Sequence, residues 1–428
     1  MAETLLVVFV IMVVLGMPIS IALGVGTLAA AMIYPALNPI TIPSQFVGLL
    51  ADSFILLAAP LFILAGNLAA QSGVARAIID LAVAVVGGMR GGLAYVSILA
   101  SMIFGGISGS AVADVAALGT VLVPQMERKG YDKDFATALT VSTAILAPII
   151  PPSIIAVIYA WMADESVAAI FAAGYLPGLL LAIGMAVPTF VIARRRGYPR
   201  EPRPSLMVVL RALGHAIPGL MIPVIIMGGI LLGWFTPTEA AAVAVVYAMI
   251  VPLAYYRELT WRDFPKIFAD SARLGGVIGL IIGFVGAFGW VLTYSKLPFR
   301  IAYVINKATP NWWVFMLLVI ALYVFLGTFL TPSEIILVTV PVLLPAAQGF
   351  KIHPIHFGMV CMLASAIGHV TPPVGLCLFV GMSISGLSME KLIKPLIPFI
   401  AAMILVTILV AFVPGTALYV PRLLGFVK

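Results

Sequence analysis

An all-α, polytopic membrane fold of about ten transmembrane helices is what the sequence predicts, arranged as two inverted-topology repeats that each carry a re-entrant hairpin and a helix broken at Pro-Pro. Three observations predict it. Of the 428 residues, 63% are hydrophobic and only 9% charged. Long apolar runs alternate with short basic loops, and Pro and Gly landmarks recur at a constant offset of 221 residues.

The composition excludes a soluble globular chain, since an ordinary soluble domain is about a quarter charged. Inside a bilayer every backbone group must be paired within the protein. Apolar runs such as 217–234 lack the alternation of barrel strands, so the spans are helices. The first apolar stretch, 5–17, has no basic segment before it and reads as the first span rather than a signal peptide. Cys361 and Cys377 lie in one apolar segment and read as two small buried side chains. The net charge of +7 is spread over short loops, which makes it a determinant of topology and not a nucleic-acid surface.

About 20 apolar residues cross a bilayer as a helix. Spans are expected near 4–19, 20–36, 52–71, 135–163, 168–192, 215–235, 239–256, 274–294, 355–383 and 395–420. Two further apolar segments are interrupted by small and polar residues: 91–126, around Gly105 to Ser110, and 312–347, around Leu330 to Glu334. Both are expected to be re-entrant hairpins, because non-helical backbone at membrane depth survives only beside protein or a watery cavity. The competing reading is a pair of ordinary crossings at each. Alternating sides puts 17 of the 23 Lys and Arg, from Arg76 to Lys394 and including Arg203, on one face. Six, from Lys296 to Lys428, fall on the other, which makes the first face cytoplasmic and sends both termini outward.

Pro124 and Pro345, Gly106 and Gly327, and Pro151-Pro152 and Pro372-Pro373 are each 221 residues apart. Five crossings per copy is odd, so the copies are inverted. The expected organisation is a first repeat over 1–196, a basic cytoplasmic linker over 197–213 and a second repeat over 214–428. Segments 75–89 and 297–308 precede the hairpins, are too short to span and carry charge. They are expected to be interfacial arm helices.

Two consecutive prolines free several backbone carbonyls in the middle of a helix, and free carbonyls bind cations. Around the first break and hairpin lie Ser108, Ser110, Ser142, Thr143 and Ser153; around the second lie Thr331, Ser333, Ser365 and Thr371. Carbonyl and hydroxyl oxygens suit a hard monovalent cation such as Na⁺, while half-helix N-termini suit an anion. The plainer alternative is a kinked helix whose Ser and Thr return hydrogen bonds to their own backbone. Asp114 is a candidate ion ligand, proton site or helix-pairing group, and with Ser153 and His369 it marks a candidate substrate path. His369 reads first as a neutral packed histidine, with protonation the competing role. Glu239, in Thr236-Pro237-Thr238-Glu239, is expected to cap a helix. Gly275, Gly279 and Gly283 share a helix face and are expected to admit a close neighbour. The tryptophans fit an aromatic belt.

Gly106-Ile107-Ser108-Gly109 matches the GxSG of rhomboid-type intramembrane serine proteases, which also need a histidine within reach of the serine. Only His369 sits at membrane depth, so no catalytic residue is assigned. No GxxxxGK[ST] loop is present, which excludes ATP hydrolysis by this chain. An ion channel is disfavoured by the lack of charged rings or a carbonyl filter motif.

The stretches FGGISGSAVADVAALGTVLVPQM (104–126), APIIPPS (147–153), GWFTPTEAAAVAVVYA (233–248) and TPPVG (371–375) resemble the large membrane subunit of tripartite ATP-independent periplasmic (TRAP) transporters. The resemblance runs over nearly the whole chain. It implies a sodium-driven elevator in the bacterial inner membrane, surrounded by lipid, with a small four-helix membrane subunit and a periplasmic solute-binding protein as partners. The substrate would be an organic acid such as a dicarboxylate or sialic acid, and no cofactor is implied beyond the coupling ion. By analogy, one sodium site would draw on Ser108, Gly109, Ser110, Ser142, Thr143, Pro148 and Pro151. The other would draw on Thr331, Pro332, Ser333, Ser365, Gly368, Thr371 and Pro372, with substrate between the two. The second hairpin tip, Thr331 to Ile335, departs from the acidic-start pattern expected of relatives. A stand-alone carrier of the same superfamily is the alternative.

Overall fold

Proline, glycine and hydroxyl residues set where the helices of this chain start and stop. The computed structural model describes residues 2–34, 37, 40–200, 202, 204–309 and 311–427; Arg203 and Lys428, used above to assign sides, lie outside them. The helices are α1 (Ala2–Val14), α2 (Ile19–Ile33), α3 (Thr41–Asp52), α4 (Ala58–Ala70), α5 (Val74–Val86), α6 (Gly92–Ser108) and α7 (Ala111–Arg128). They continue as α8 (Lys133–Thr143), α9 (Ile154–Met162), α10 (Val167–Arg195), α11 (Leu206–Leu231), α12 (Pro237–Val251) and α13 (Phe264–Tyr294). The last are α14 (Leu297–Ala308), α15 (Trp312–Gly327), α16 (Pro332–Gly349), α17 (Pro354–Gly368), α18 (Leu376–Ser385), α19 (Met389–Phe412) and α20 (Gly415–Leu423). A π-helical turn, Pro252–Tyr256, extends α12. Among the described residues there is no strand, only an isolated bridge between Arg90 and Arg200.

Among the described residues six helices are long and apolar enough to cross a membrane, namely α10, α11, α12 with its π turn, α13, α16 and α19, or seven if α3 and α4 form one bent span. Ten full-length spans were expected, and the difference has identifiable causes. Segments 135–163 and 355–383 are each divided into two helices by a Pro-Pro loop, α8 and α9 in the first and α17 and α18 in the second. Segment 395–420 does supply a crossing-length helix, α19, which Pro414 ends at Phe412, and α16 supplies another although it lies in the segment expected to be the second hairpin. α1 and α2 have 13 and 15 residues, short of a straight crossing. The expected short helices at 75–89 and 297–308 are present as α5 and α14.

The 221-residue offset extends from landmarks to elements. α7 starts at Ala111 and α16 at Pro332, and both run for 18 residues; α8 and α17 start at Lys133 and Pro354. Pro124 and Pro345 lie inside α7 and α16, and both Pro-Pro bonds are cis.

The two halves exchange partners. α18, which follows the second break, packs on α7 of the first hairpin, and α9, which follows the first break, packs on α16 of the second. The core lies between these elements: α17 from Ile355 to Gly368 and the segment from Phe135 to Tyr159 are buried almost without interruption. Outward positions stay apolar, as Val187 and Phe190 on α10 and Leu405 on α19 show, which is the surface a lipid-facing helix presents. On α13, Gly275 faces Pro60 and Gly283 faces the Phe46 ring, whereas Gly279 meets nothing, so two of the three expected glycine contacts form.

Beyond α10 the chain folds back as a clasp. Tyr198 is buried against Tyr131 and Phe135, its hydroxyl donates to Asp132 Oδ2 at 2.8 Å, and Arg196 donates to the same oxygen at 2.7 Å. These bonds anchor the start of the linker to the turn between α7 and α8.

Candidate functional site

Each hairpin tip packs against the loop that contains Pro-Pro in its own half. In the first half, α6 ends at Ser108 and Gly109 adopts a positive φ of 59°, which reverses the chain at no steric cost to a residue without a side chain. A Cβ at this position would also meet the Pro152 carbonyl oxygen at 2.9 Å. Ser110 then caps α7, its Oγ accepting from the Ala113 amide at 3.4 Å, and its own amide donates to Ser108 Oγ at 3.4 Å. Across from the tip, Ser153 caps α9 by accepting from the Ala156 amide at 3.3 Å and donates to the Pro148 carbonyl at 2.6 Å. Ser108, Gly109, Ser110, Pro148, Pro151, Pro152 and Ser153 therefore form one assembly of hydroxyls, carbonyls and the N-termini of α7 and α9.

The second half repeats the assembly with different chemistry. Gly327 ends α15 against the backbone of α17; a Cβ there would lie 2.6 Å from the Ser365 carbonyl oxygen and 2.9 Å from the Gly368 Cα. The Gly375 amide donates to the Thr328 carbonyl at 3.0 Å, which binds the Pro-Pro loop to the hairpin tip, and the Cys377 amide donates to the His369 carbonyl at 3.1 Å across the loop itself. Thr331 and Glu334 form a capping box: the Thr331 amide donates to Glu334 Oε2 at 2.7 Å and the Glu334 amide to Thr331 Oγ1 at 3.4 Å. Glu334 is thereby a cap in the same way as Glu239, whose box with Thr236 forms as expected. Pro332 occupies the first position of α16, followed by Ser333. Ser365 Oγ donates to the Met362 carbonyl and Thr371 Oγ1 to the Ile367 carbonyl, the local return bonds that kinked helices use.

Two residues grouped with the first break behave differently. Ser142 is fully buried and its Oγ has no hydrogen-bond partner among the described residues. Thr143 instead turns to α6, 3.3 Å from Ser97 Oγ and 3.1 Å from Ser101 Oγ. Ser101 donates to Asp114 Oδ2 at 2.7 Å. Sequence reasoning passed over Ser97 and Ser101, although a serine pair four apart in an apolar helix is the signal. His369 is 5% exposed, with Nδ1 3.9 Å from Cys377 Sγ. Cys361 and Cys377 are buried free thiols. No group of three His, Cys, Asp or Glu able to hold a metal occurs among the described residues.

Residues 6–416 match the family model described as the Tripartite ATP-independent periplasmic transporter, DctM component. The chain belongs to this family. The TRAP large permeases it resembles include the C4-dicarboxylate large permease protein DctM of Pseudomonas aeruginosa, 39% identical over 88% of both chains. The sialic acid large permease protein SiaM of Vibrio cholerae is 36% identical over 96% of both. Among solved structures, the YdaH transporter of Alcanivorax borkumensis matches with a TM-score of 0.63 over 88% of this chain and 87% of its own, at 14% identity, a likeness of fold alone. As a TRAP large permease the chain is a multi-pass membrane transporter component and not an enzyme. The GxSG serine accordingly serves in a hairpin tip, with its Oγ directed to Ser110.

Proposed function

We propose that the chain imports a small organic acid, a dicarboxylate or sialic acid being the chemical type, by sodium symport. The observation that carries this reading is the duplicated assembly in which a hairpin tip meets a Pro-Pro loop. In the first, Gly109 of the tip at 108–110 faces Pro152 and Ser153, and Gly106 faces the Pro151 carbonyl. Ser153 reaches the Pro148 carbonyl, and Ser142 adds a buried hydroxyl that lacks a partner among the described residues. In the second, Thr331, Pro332 and Ser333 follow the tip at Thr328, and Ser365, Gly368, Thr371 and Pro372 surround the break. Oxygen ligands without a charged side chain fit Na⁺, and the N-termini of α7, α9, α16 and α18 give an anionic carboxylate a favourable field between the two sites. Ser153 and His369 border that space.

The inverted repeat is supported by the matched starts of α7 and α16 and by the reciprocal packing of α7 with α18 and α9 with α16. In this reading the hairpins and broken helices move as an elevator, α5 and α14 are the arms, and both hairpin tips meet near the bilayer midplane. A periplasmic solute-binding protein delivers the substrate and a small four-helix subunit completes the scaffold, in the bacterial inner membrane with both termini periplasmic.

The test is uptake into proteoliposomes carrying the partner subunits under imposed ion gradients. Uptake that follows a sodium gradient supports symport; uptake that ignores sodium and follows a proton gradient overturns it. Uptake without any binding protein would favour a stand-alone carrier. Ser142→Ala is the cleaner ligand variant, because Ser110→Ala and Thr331→Ala also remove helix caps.

A further inference from the structure

Asp114 lies where α6, α7, α8 and α18 converge, one turn along α7 from the tip residue Ser110, whose carbonyl accepts from the Asp114 amide at 3.0 Å. It is completely buried, and among the described residues it has no ion-pair partner. An isolated carboxylate at membrane depth is costly, so its charge must be balanced or removed. Its place in the first turn of α7 favours the charged form, because the helix N-terminus carries positive potential.

The hydrogen bonds around it are short of donors. Oδ2 accepts from Ser101 Oγ at 2.7 Å, while Oδ1 is buried with no partner among the described residues. Ser101 also lies 3.1 Å from Thr143 Oγ1, yet it has one proton for these two acceptors. The Thr143 proton is in reach of the Thr140 carbonyl at 3.1 Å, which turns its lone pairs to Ser97 at 3.3 Å and to Ser101. What remains is a run of oxygens from Asp114 through Ser101 and Thr143 to Ser97, rich in lone pairs and poor in protons.

We propose that Asp114, Ser101, Thr143 and Ser97 form a third monovalent-cation site, taking Na⁺ and built from side chains other than those of the two tip sites. Hard cations take carboxylate and hydroxyl oxygen. One carboxylate with one monovalent ion is electrically neutral, whereas a divalent ion would leave a buried positive charge. The site joins both arms of the first hairpin to α8, so an occupied site fixes the hairpin on the broken helix. It rests on the same choice of coupling ion as the sodium symport reading, and the experiment separates the two.

The purified full chain, with any subunit that accompanies it, is titrated with NaCl against choline chloride while thermal unfolding is followed. The expected result is sodium-specific stabilisation of wild type, with Asp114→Asn shifting the apparent sodium affinity roughly tenfold or more and lowering the Hill coefficient. Ser101→Ala, which keeps the carboxylate, should shift the affinity in the same direction and serves if Asp114→Asn does not fold. Wild-type titration behaviour in Asp114→Asn, or in Ser101→Ala where only that variant folds, overturns the third site alone. Stabilisation of wild type but not Asp114→Asn by acid in place of sodium overturns it in favour of a proton. No sodium effect on wild type overturns this site together with sodium coupling.

Discussion

The Tyr159 hydroxyl donates to the Pro354 carbonyl at 2.6 Å, so the helix after the first Pro-Pro loop holds the first turn of the second broken helix. The Tyr159 ring is fully buried over Gly358. Tyr159→Phe keeps the ring and leaves one buried carbonyl without a donor, at an expected cost of about 1 kcal/mol. A thermal-unfolding midpoint in detergent equal to wild type would show that the bond contributes nothing.

Gly327 tests the fit between hairpin and break. Alanine in place of glycine inside a helix is ordinarily favourable by about 1 kcal/mol. Here the new methyl would sit 2.6 Å from the Ser365 carbonyl oxygen, backbone that cannot easily yield. Gly327→Ala is expected to destabilise by about 1–3 kcal/mol through overpacking and to reduce uptake. Gly289→Ala on α13, where nothing lies within 4 Å, is the control and should be neutral or stabilising. Equal behaviour of the two variants would contradict the close contact.

Caps at the two Thr-Pro helix starts should be separable from ion binding. Thr236→Ala and Thr331→Ala each lose a capping box, at about 1 kcal/mol. Only the second is expected to alter sodium-dependent uptake as well. Identical sodium dependence of the two variants would assign Thr331 to capping alone.

The linker clasp has a defined pH response. Hydrogen bonds from Tyr198, and then Arg196, hold the Asp132 carboxyl below the ordinary carboxylate range. Its contribution is therefore present at neutral pH, above the unfolded value of about 3.9, and is lost as pH falls through the lower folded value. The ion pair is partly exposed and contributes at most about 1 kcal/mol after screening. Protease cleavage in the linker should be constant from neutral to mildly acidic pH and faster in Asp132→Asn throughout. A wild-type rise in cleavage already near neutral pH would rule out Asp132 as the anchor.

Much of this was legible because proline and glycine act locally. Pro151-Pro152, Pro372-Pro373 and the Gly-Ser tip at 108–110 locate the breaks and the first hairpin wherever the rest of the chain lies. The Thr331 to Glu334 cap was equally readable, since it has the spacing that identified Thr236 and Glu239, but its position in a hairpin drew attention to ions instead. Packing partners in distant segments carried no local mark. The serine pair on α6 marks a polar contact without naming Asp114 as its partner, and nothing at Tyr159 indicates Pro354, because these contacts depend on how whole helices cross. The expected spans at 135–163 and 355–383 are each two shorter helices, because apolar runs do not reveal how many turns a proline will remove.

The reciprocal packing of α9 with α16 and α7 with α18 also constrains the order of synthesis. α9 ends at Met162 and α16 begins at Pro332, so at ordinary translation speeds the first half waits roughly ten to thirty seconds for its cover. Until α16 and α18 have been made, the faces of α9 and α7 that they cover have no native neighbour. Newborn chains stalled in the linker should accordingly be open to proteolysis at the first break and gain resistance only once α18 has been made, which pulse-labelled, length-arrested chains can show.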